Sequence, residues 1–293
     1  MFGETGGVKV MESSYKRQDD LHYDNTTKQK RSYYWDTAIG LNKVDGLTPS
    51  DYLQELKQES IEGRKTYDEV ERELGNYYGK QVLTPAALDT RECDIVSTRI
   101  ARILESRDFV FSPITLKNIH KRLFDGLFTG KLAGYEGRFR DYNIEKAEPV
   151  LGGDSVIYAD YLSLEDYLRY DFDAERIKNY AAMSPSDTAA GLARFVSSVW
   201  QVHPFVEGNT WTTAVFLEKY MLSLGYSNVD NTLFRDNSVY FRNALVVSNY
   251  SNAAKKIQPA FCYIESFLLN LIEGANKPLP PITLNLKSKR YGN

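Results

Sequence analysis

His203-Pro204-Phe205-Val206-Glu207-Gly208-Asn209-Thr210 is the stretch from which the rest of the chain can be read. It lies between two apolar segments of helical spacing, 187–202 and 210–223, and so predicts a tight loop joining two helices. Asn209 is a favourable N-cap, and the backbone N–H groups of Gly208 to Trp211 have no carbonyl one turn earlier to bond. A helix start of that kind attracts anions, phosphate above all. In the same loop stand His203, a base suited to neutral pH, and Glu207, a carboxylate suited to a divalent ion. Base, carboxylate and phosphate cradle are the components of transfer chemistry at phosphorus. Each residue alone has a plain explanation as a helix-end histidine, a solvated carboxylate or a Gly-Asn turn. Their conjunction between two apolar helices carries the reading.

Outward from this loop the pattern stays helical. Upstream, 94–106 and a segment opened by Ser112-Pro113 carry apolar residues at helical spacing, as do 164–173, 238–249 and 259–273. Between Trp35 and Tyr78, Thr48-Pro49-Ser50 starts one helix and Thr66 with Glu69 forms a capping box for a second. One segment breaks the pattern: Gly152-Gly153-Asp154, between Pro149-Val150-Leu151 and Val156-Ile157-Tyr158, predicts a short β-hairpin. The expected fold class is therefore all-α with one hairpin. Its expected divisions are a polar leader without fixed structure over 1–34, a small helical hairpin over 35–80, a main helical domain over 81–275 and an extended tail over 276–293. Between the second division and the first helix of the third, 80–89 reads as a connector.

Composition excludes several function classes. With 42% hydrophobic and 26% charged residues and a net charge of −3, the chain is ordinary for a globular protein. It has no basic excess with which to bind nucleic acid by bulk charge, and no direct nucleic-acid partner is expected. Cys93 and Cys262 form no CxxC pair, so neither a disulfide scaffold nor a zinc site is expected. The longest apolar stretch, 267–272, is far too short to span a bilayer, and no membrane partner is expected. The expected location is cytoplasmic, with secretion by a non-classical route left open.

The string HPFVEGN resembles the first half of the signature of the Fic family, HPFx[D/E]GN[G/K]RxxR. Upstream, Gly134-Tyr135-Glu136-Gly137-Arg138-Phe139-Arg140 resembles the AG-x-x-R segment of that family. The 149–158 segment falls where Fic proteins carry a flap that aligns a target by strand addition. Tyr240-Phe241-Arg242-Asn243 resembles the helix that encloses the nucleotide base. The resemblance implies a Fic-fold helical bundle that moves AMP from ATP onto a Ser, Thr or Tyr hydroxyl of another protein. In it His203 is the base, Glu207 holds Mg²⁺, and Gly208, Asn209, Thr210, Trp211, Tyr240 and Asn243 contact the nucleotide. Val150, Leu151, Val156 and Ile157 would dock an unknown target protein.

The chain departs from the signature where its phosphate grips should be. Thr210 follows the Gly-Asn pair, and Trp211 and Ala214 stand in place of the two arginines. Three consequences stay open: weaker triphosphate binding, another nucleotide donor, or a degenerate module that only binds partners. The hairpin over 35–80 resembles the antitoxin-like domain fused to some bacterial Fic proteins. Within it Gln58-Glu59-Ser60-Ile61-Glu62-Gly63 is similar to the family's inhibitory motif, which makes Glu62 and Gly63 the expected inhibitory pair.

Overall fold

Helix starts in this chain are written by hydroxyl caps. Ser50, Thr66, Thr84, Ser112 and Ser184 each accept a hydrogen bond from the first turn of the helix they precede. In three of them proline follows at once, where its fixed φ and missing N–H are harmless. The computed structural model describes residues 18–82, 84–226 and 232–284, with side chains described from Thr27 onward. Among these residues ten α-helices form: α1 (Gln18–Asn42), α2 (Asp51–Ile61), α3 (Tyr67–Tyr78), α4 (Pro85–Glu105), α5 (Pro113–Phe124), α6 (Leu164–Arg176), α7 (Pro185–Val202), α8 (Asn209–Ser223), α9 (Thr232–Ser248) and α10 (Cys262–Glu273). No strand forms among them, apart from an isolated bridge between Asn252 and Ile257. The fold is all-α.

α8 is the axis of the molecule. Every residue from Asn209 to Met221 is buried, which a helix achieves only when neighbours cover it on all sides. α4, α5 and α7 pack directly on it, α6 and α10 lie outside α7, and α1 runs across α4 and α9. No helix among the described residues is long and apolar enough to cross a membrane.

Four expectations from the sequence need correction. The segment 18–34, taken as a loose leader, belongs to α1, while 1–17 lies outside the described residues. The first half of α1 is polar and carries no apolar stripe; Trp35, Ala38 and Leu41, fully buried, mark only its last turns. The supposed connector at 80–89 contains the start of α4, capped by Thr84. The tail is attached through Leu284: the Tyr263 hydroxyl donates to Thr283 O and accepts from its N–H, both at 3.0 Å. Finally, the predicted β-hairpin has no strands. Pro149–Leu151 winds into a 3-10 turn, and Gly152 and Gly153 follow at φ 69° and 97°. The Glu148 N–H bonds Asp154 O at 2.9 Å and the Gly153 N–H bonds Glu148 O at 3.1 Å, which closes a loop in place of a ladder. Leu151 and Val156 are drawn into the core, Val150 is half-buried and Ile157 remains 80% exposed.

The crossing of α1 over α9 depends on Gly40. A β-carbon there would lie 2.3 Å from Arg235 Cα, and the Ser238 hydroxyl already donates to Gly40 O at 2.6 Å. Replacing a mid-helix glycine by alanine ordinarily stabilises a helix by about 1 kcal/mol. Here Gly40→Ala is expected to destabilise the fold by about 1–3 kcal/mol, because two backbones must separate. Urea unfolding decides the sign, and a raised midpoint would refute this close crossing.

Candidate active site

The site begins where α7 stops. His203 adopts φ 47°, ψ 58°, the left-handed region that a non-glycine residue enters only when its surroundings hold it there. Arg140 does the holding. Its guanidinium donates to His203 O at 2.8 Å, Val202 O at 3.2 Å and Tyr142 O at 2.8 Å, and also to Ala159 O. Its backbone N–H donates to Pro204 O at 2.8 Å. One buried cation thus satisfies carbonyls that the end of α7 leaves open and ties them to both sides of the flap.

The imidazole of His203 is itself almost fully buried. Its Nδ1 lies 3.2 Å from Trp200 O, and a carbonyl can only accept, so the proton is assigned to Nδ1 and the lone pair to Nε2. Burial holds the ring well below the usual histidine range, and the Lys146 charge acts in the same direction. His203 is therefore a neutral imidazole with a free Nε2, packed 4.2 Å from the Tyr158 ring.

The loop closes on itself at once. Asn209 Oδ1 accepts from the Phe205 N–H at 3.0 Å while its Nδ2 donates to Phe205 O at 2.7 Å. Asn209 is the first helical residue and not the cap; Gly208 holds the cap position at φ 73°. A β-carbon at Gly208 would meet the Phe124 ring at 2.3 Å, so close packing and backbone conformation both require glycine there. The N–H groups of the first turn of α8 face the loop without carbonyl partners one turn earlier, as an anion cradle needs.

Glu207 is half-exposed and pairs with Lys146 at 2.8 Å. Arg242 on α9 pairs with the fully buried Glu148 at 2.8 Å. Asp45, at the end of the 3-10 turn Lys43–Asp45 that follows α1, shares this field: burial raises its pKa, while Arg242 and then Lys146 pull it down. Sequence reasoning missed Asp45, Lys146 and Arg242 as site residues: Asp45 and Lys146 stand in no motif, and in the 240–243 segment the resemblance points to Tyr240 and Asn243 and not to Arg242.

Trp211 is not where a nucleotide could touch it. It is buried, donates from Nε1 to Leu41 O at 3.0 Å and stacks on Phe124 at 5.6 Å. Thr210 is also turned inward, its hydroxyl accepting from Trp200 Nε1 at 3.0 Å. Ala214 is fully buried. The reason is the central position of α8: side chains at these places meet neighbouring helices.

Residues 110–221 match the model of the Fic/DOC family. The chain carries a Fic/DOC-family domain. Among solved structures it is similar to the N-terminal Fic domain of the Bep8 protein, a VirB-translocated effector from Bartonella sp. 1-1C, at 17% identity and a TM-score of 0.44 over 65% of this chain and 87% of that one. It is also similar to a Fic family protein from Desulfovibrio desulfuricans G20 (17% identity, TM-score 0.49, 87% of this chain and 68% of that one). A third is a Fic-domain-containing signaling protein from Bacteroides thetaiotaomicron VPI-5482, at 12% identity and a TM-score of 0.48 over 89% of this chain and 92% of that one. No curated protein matches the chain.

The matched Fic domain runs from the approach to α5 through most of α8, so Asp45 and Arg242 act on its loop by charge from outside the match. Glu62 does not. It pairs with Lys28 and Gln58, each at 3.0 Å, and Gly63 follows at φ 73°; none of the Glu62 partners belongs to the loop. The expected inhibitory pair, Glu62 and Gly63, therefore makes no hydrogen bond or ion pair with the loop among the described residues. Tyr240 donates to Pro280 O at 3.0 Å, toward the tail, and Asn243 is half-buried one turn further along α9.

His120, on α5, braces the Fic loop. Its Nε2 bonds Glu207 O at 3.0 Å, its Nδ1 accepts from the Gly137 N–H at 2.8 Å, and its ring stacks on Phe205 at 3.8 Å. Burial lowers its pKa to about 4. A folded pKa below the unfolded value means a stability contribution that is complete above about pH 6.5 and fades as pH falls toward 4. Converted by linkage, that is about 3 kcal/mol. His120→Phe keeps the stacking and loses the bonds; its stability is expected to fall at pH 7 and to depend less on pH between 6.5 and 4. Equal slopes in denaturant titrations of the two proteins would remove this role.

Proposed function

We propose that the chain is a nucleotide-dependent protein transferase that moves AMP from ATP to a Ser, Thr or Tyr hydroxyl of a target protein. The observation that carries this reading is the free Nε2 of neutral His203 beside the first turn of α8. In that arrangement Nε2 takes the hydroxyl proton, the oxygen forms a bond to the α-phosphorus, and the bond to the departing diphosphate breaks. First-turn N–H groups of α8 stabilise charge on the phosphates.

Among the described residues no three His, Cys, Asp or Glu side chains gather into a metal cage. A magnesium ion held by one carboxylate, substrate phosphates and water needs none, and half-exposed Glu207 fits that role. Magnesium bound there would neutralise phosphate charge. Because Trp211 and Ala214 leave the start of α8 without a cation, Lys146 and Arg242 are the charges available to the leaving group. The same observation favours, as a second reading, a donor with a shorter phosphate chain. Exposed Ile157 on the flap supports target docking there.

Autoinhibition also belongs to this reading, but through Asp45, whose carboxyl lies in the field of Lys146, Arg242 and Glu207 and would repel phosphate. With ATP labelled on the α-phosphate, Mg²⁺ and host-type lysate, His203→Ala is expected to lower label transfer to protein by about 100-fold or more. Asp45→Ala should raise it and Glu62→Ala should leave it unchanged. Label that persists in His203→Ala, or its absence from both wild type and Asp45→Ala, would overturn AMP transfer from ATP. A donor screen would then test the second reading.

A further inference from the structure

Three cavities open side by side around the C-terminal turn of α4, none of them lined by a residue of the His203 loop. The first, about 450 Å³, lies between α3, α4 and α5, and every side chain lining it is charged, among them Arg72, Arg102, Lys121 and Arg122. The second, about 270 Å³, shares Arg102 with the first. The third, about 430 Å³, shares Glu105 and Ser106 with the second and adds Lys30, Arg107 and Lys219. Together the three are lined by ten Arg or Lys side chains against four Asp or Glu, on a chain whose net charge is −3.

Three of the four acids along this seam are already used, and Asp125 stands in the first cavity outside any ion pair among the described residues. Glu71 binds Arg99 and Arg102, Asp68 binds Arg102, and Glu105 binds Arg31. Among the described residues Arg72, Arg107, Lys121 and Arg122 make no ion pair. Burial and then the Arg102 charge lower the pKa of Arg122, and burial and then the Arg122 charge lower that of Lys219, with Asp108 opposing both. The Lys219 ammonium caps Ser106 O near the end of α4, so the helix dipole accounts for this one cation. It does not account for Arg72, Lys121 or Arg122, which sit on α3 and α5. A row in which cations outnumber acids is relieved by an external anion.

The first cavity offers no apolar anchor, which speaks against a helix or another hydrophobic partner. Planar guanidinium forks match phosphate oxygens in pairs. We propose that this seam binds a phosphate chain, whether a free oligophosphate or the backbone of a single-stranded nucleic acid, independently of the site at His203. Local charge suffices for this, although the chain as a whole is acidic.

The test uses the full chain with labelled inorganic polyphosphate and a labelled single-stranded oligouridylate, titrated at several salt concentrations. Arg72→Glu with Arg122→Glu, both exposed and outside any ion pair, is expected to weaken binding by tenfold or more at low salt. The same double variant should flatten the logarithmic salt slope by about 0.7 per lost contact with a single strand. Arg176→Glu on α6 and His203→Ala should bind as wild type does, and matching thermal unfolding shows that the variants are folded. Binding of both probes, with mutual competition, supports the proposal, and binding of one alone supports it and identifies the source of the phosphate. Equal binding by the double variant, equal capture of polyglutamate, or no binding of either probe by wild type would overturn it.

Discussion

The guanidinium of Arg140 fixes the end of α7, and the chemistry of the site depends on that fixation. Helix termini leave carbonyls without partners, and a residue forced to positive φ costs about 1–3 kcal/mol. Arg140 offsets both with charge-assisted bonds to His203, Val202, Tyr142 and Ala159. The left-handed turn at His203 brings the imidazole back over Trp200 O, and this contact assigns the proton to Nδ1. The same guanidinium holds both ends of the 142–159 segment, so base and flap share one anchor.

A second constraint is the burial of α8. A helix enclosed on all sides spends its side chains on packing, so its contribution to the loop is the N–H cradle behind Gly208. Thr210, Trp211 and Ala214 are structural by position: Thr210 is bonded to Trp200, Trp211 to Leu41, and Ala214 fills space. Positive charge has to come from neighbours, and it does, from Lys146 on the flap and Arg242 on α9. Trp211 also joins α8 to α1, the helix whose end carries Asp45 to the site.

The flap shows how a loop can be held without a sheet. Glu148 at one end is bound by Arg242 and by the Tyr158 hydroxyl, and Asp154 at the other end accepts from Lys255, Asn252 and Tyr250. Buried Leu151 and Val156 pin its middle, and Ile157 is left outward. Rigidity here comes from side-chain bonds to α9 and the turn after it, which is why alternating apolar residues formed no strand pair.

What the sequence determined by itself was whatever depends on near neighbours along the chain. Hydroxyl caps, proline starts and helical spacing marked α2, α3 and α5 to α8, and the loop from His203 to Thr210 was legible because its base, carboxylate and glycine lie within one turn-sized segment. The family followed from the same few residues. Tertiary structure decided the rest, since its causes lie far apart in sequence. The first half of α1 has no stripe of its own and is helical in a chain whose later turns pack Trp35 and Leu41 against α4 and α9. Glu62 and Asp45 look alike as acids before a glycine, and only the path of α1 brings Asp45 and not Glu62 to Lys146 and Arg242. His120 has no motif around it, yet the packing of α5 on α8 places both its nitrogens between the Gly137 turn and Glu207. Local signals set which residues form helices; the directions in which buried side chains point are set by whichever helix lies across from them.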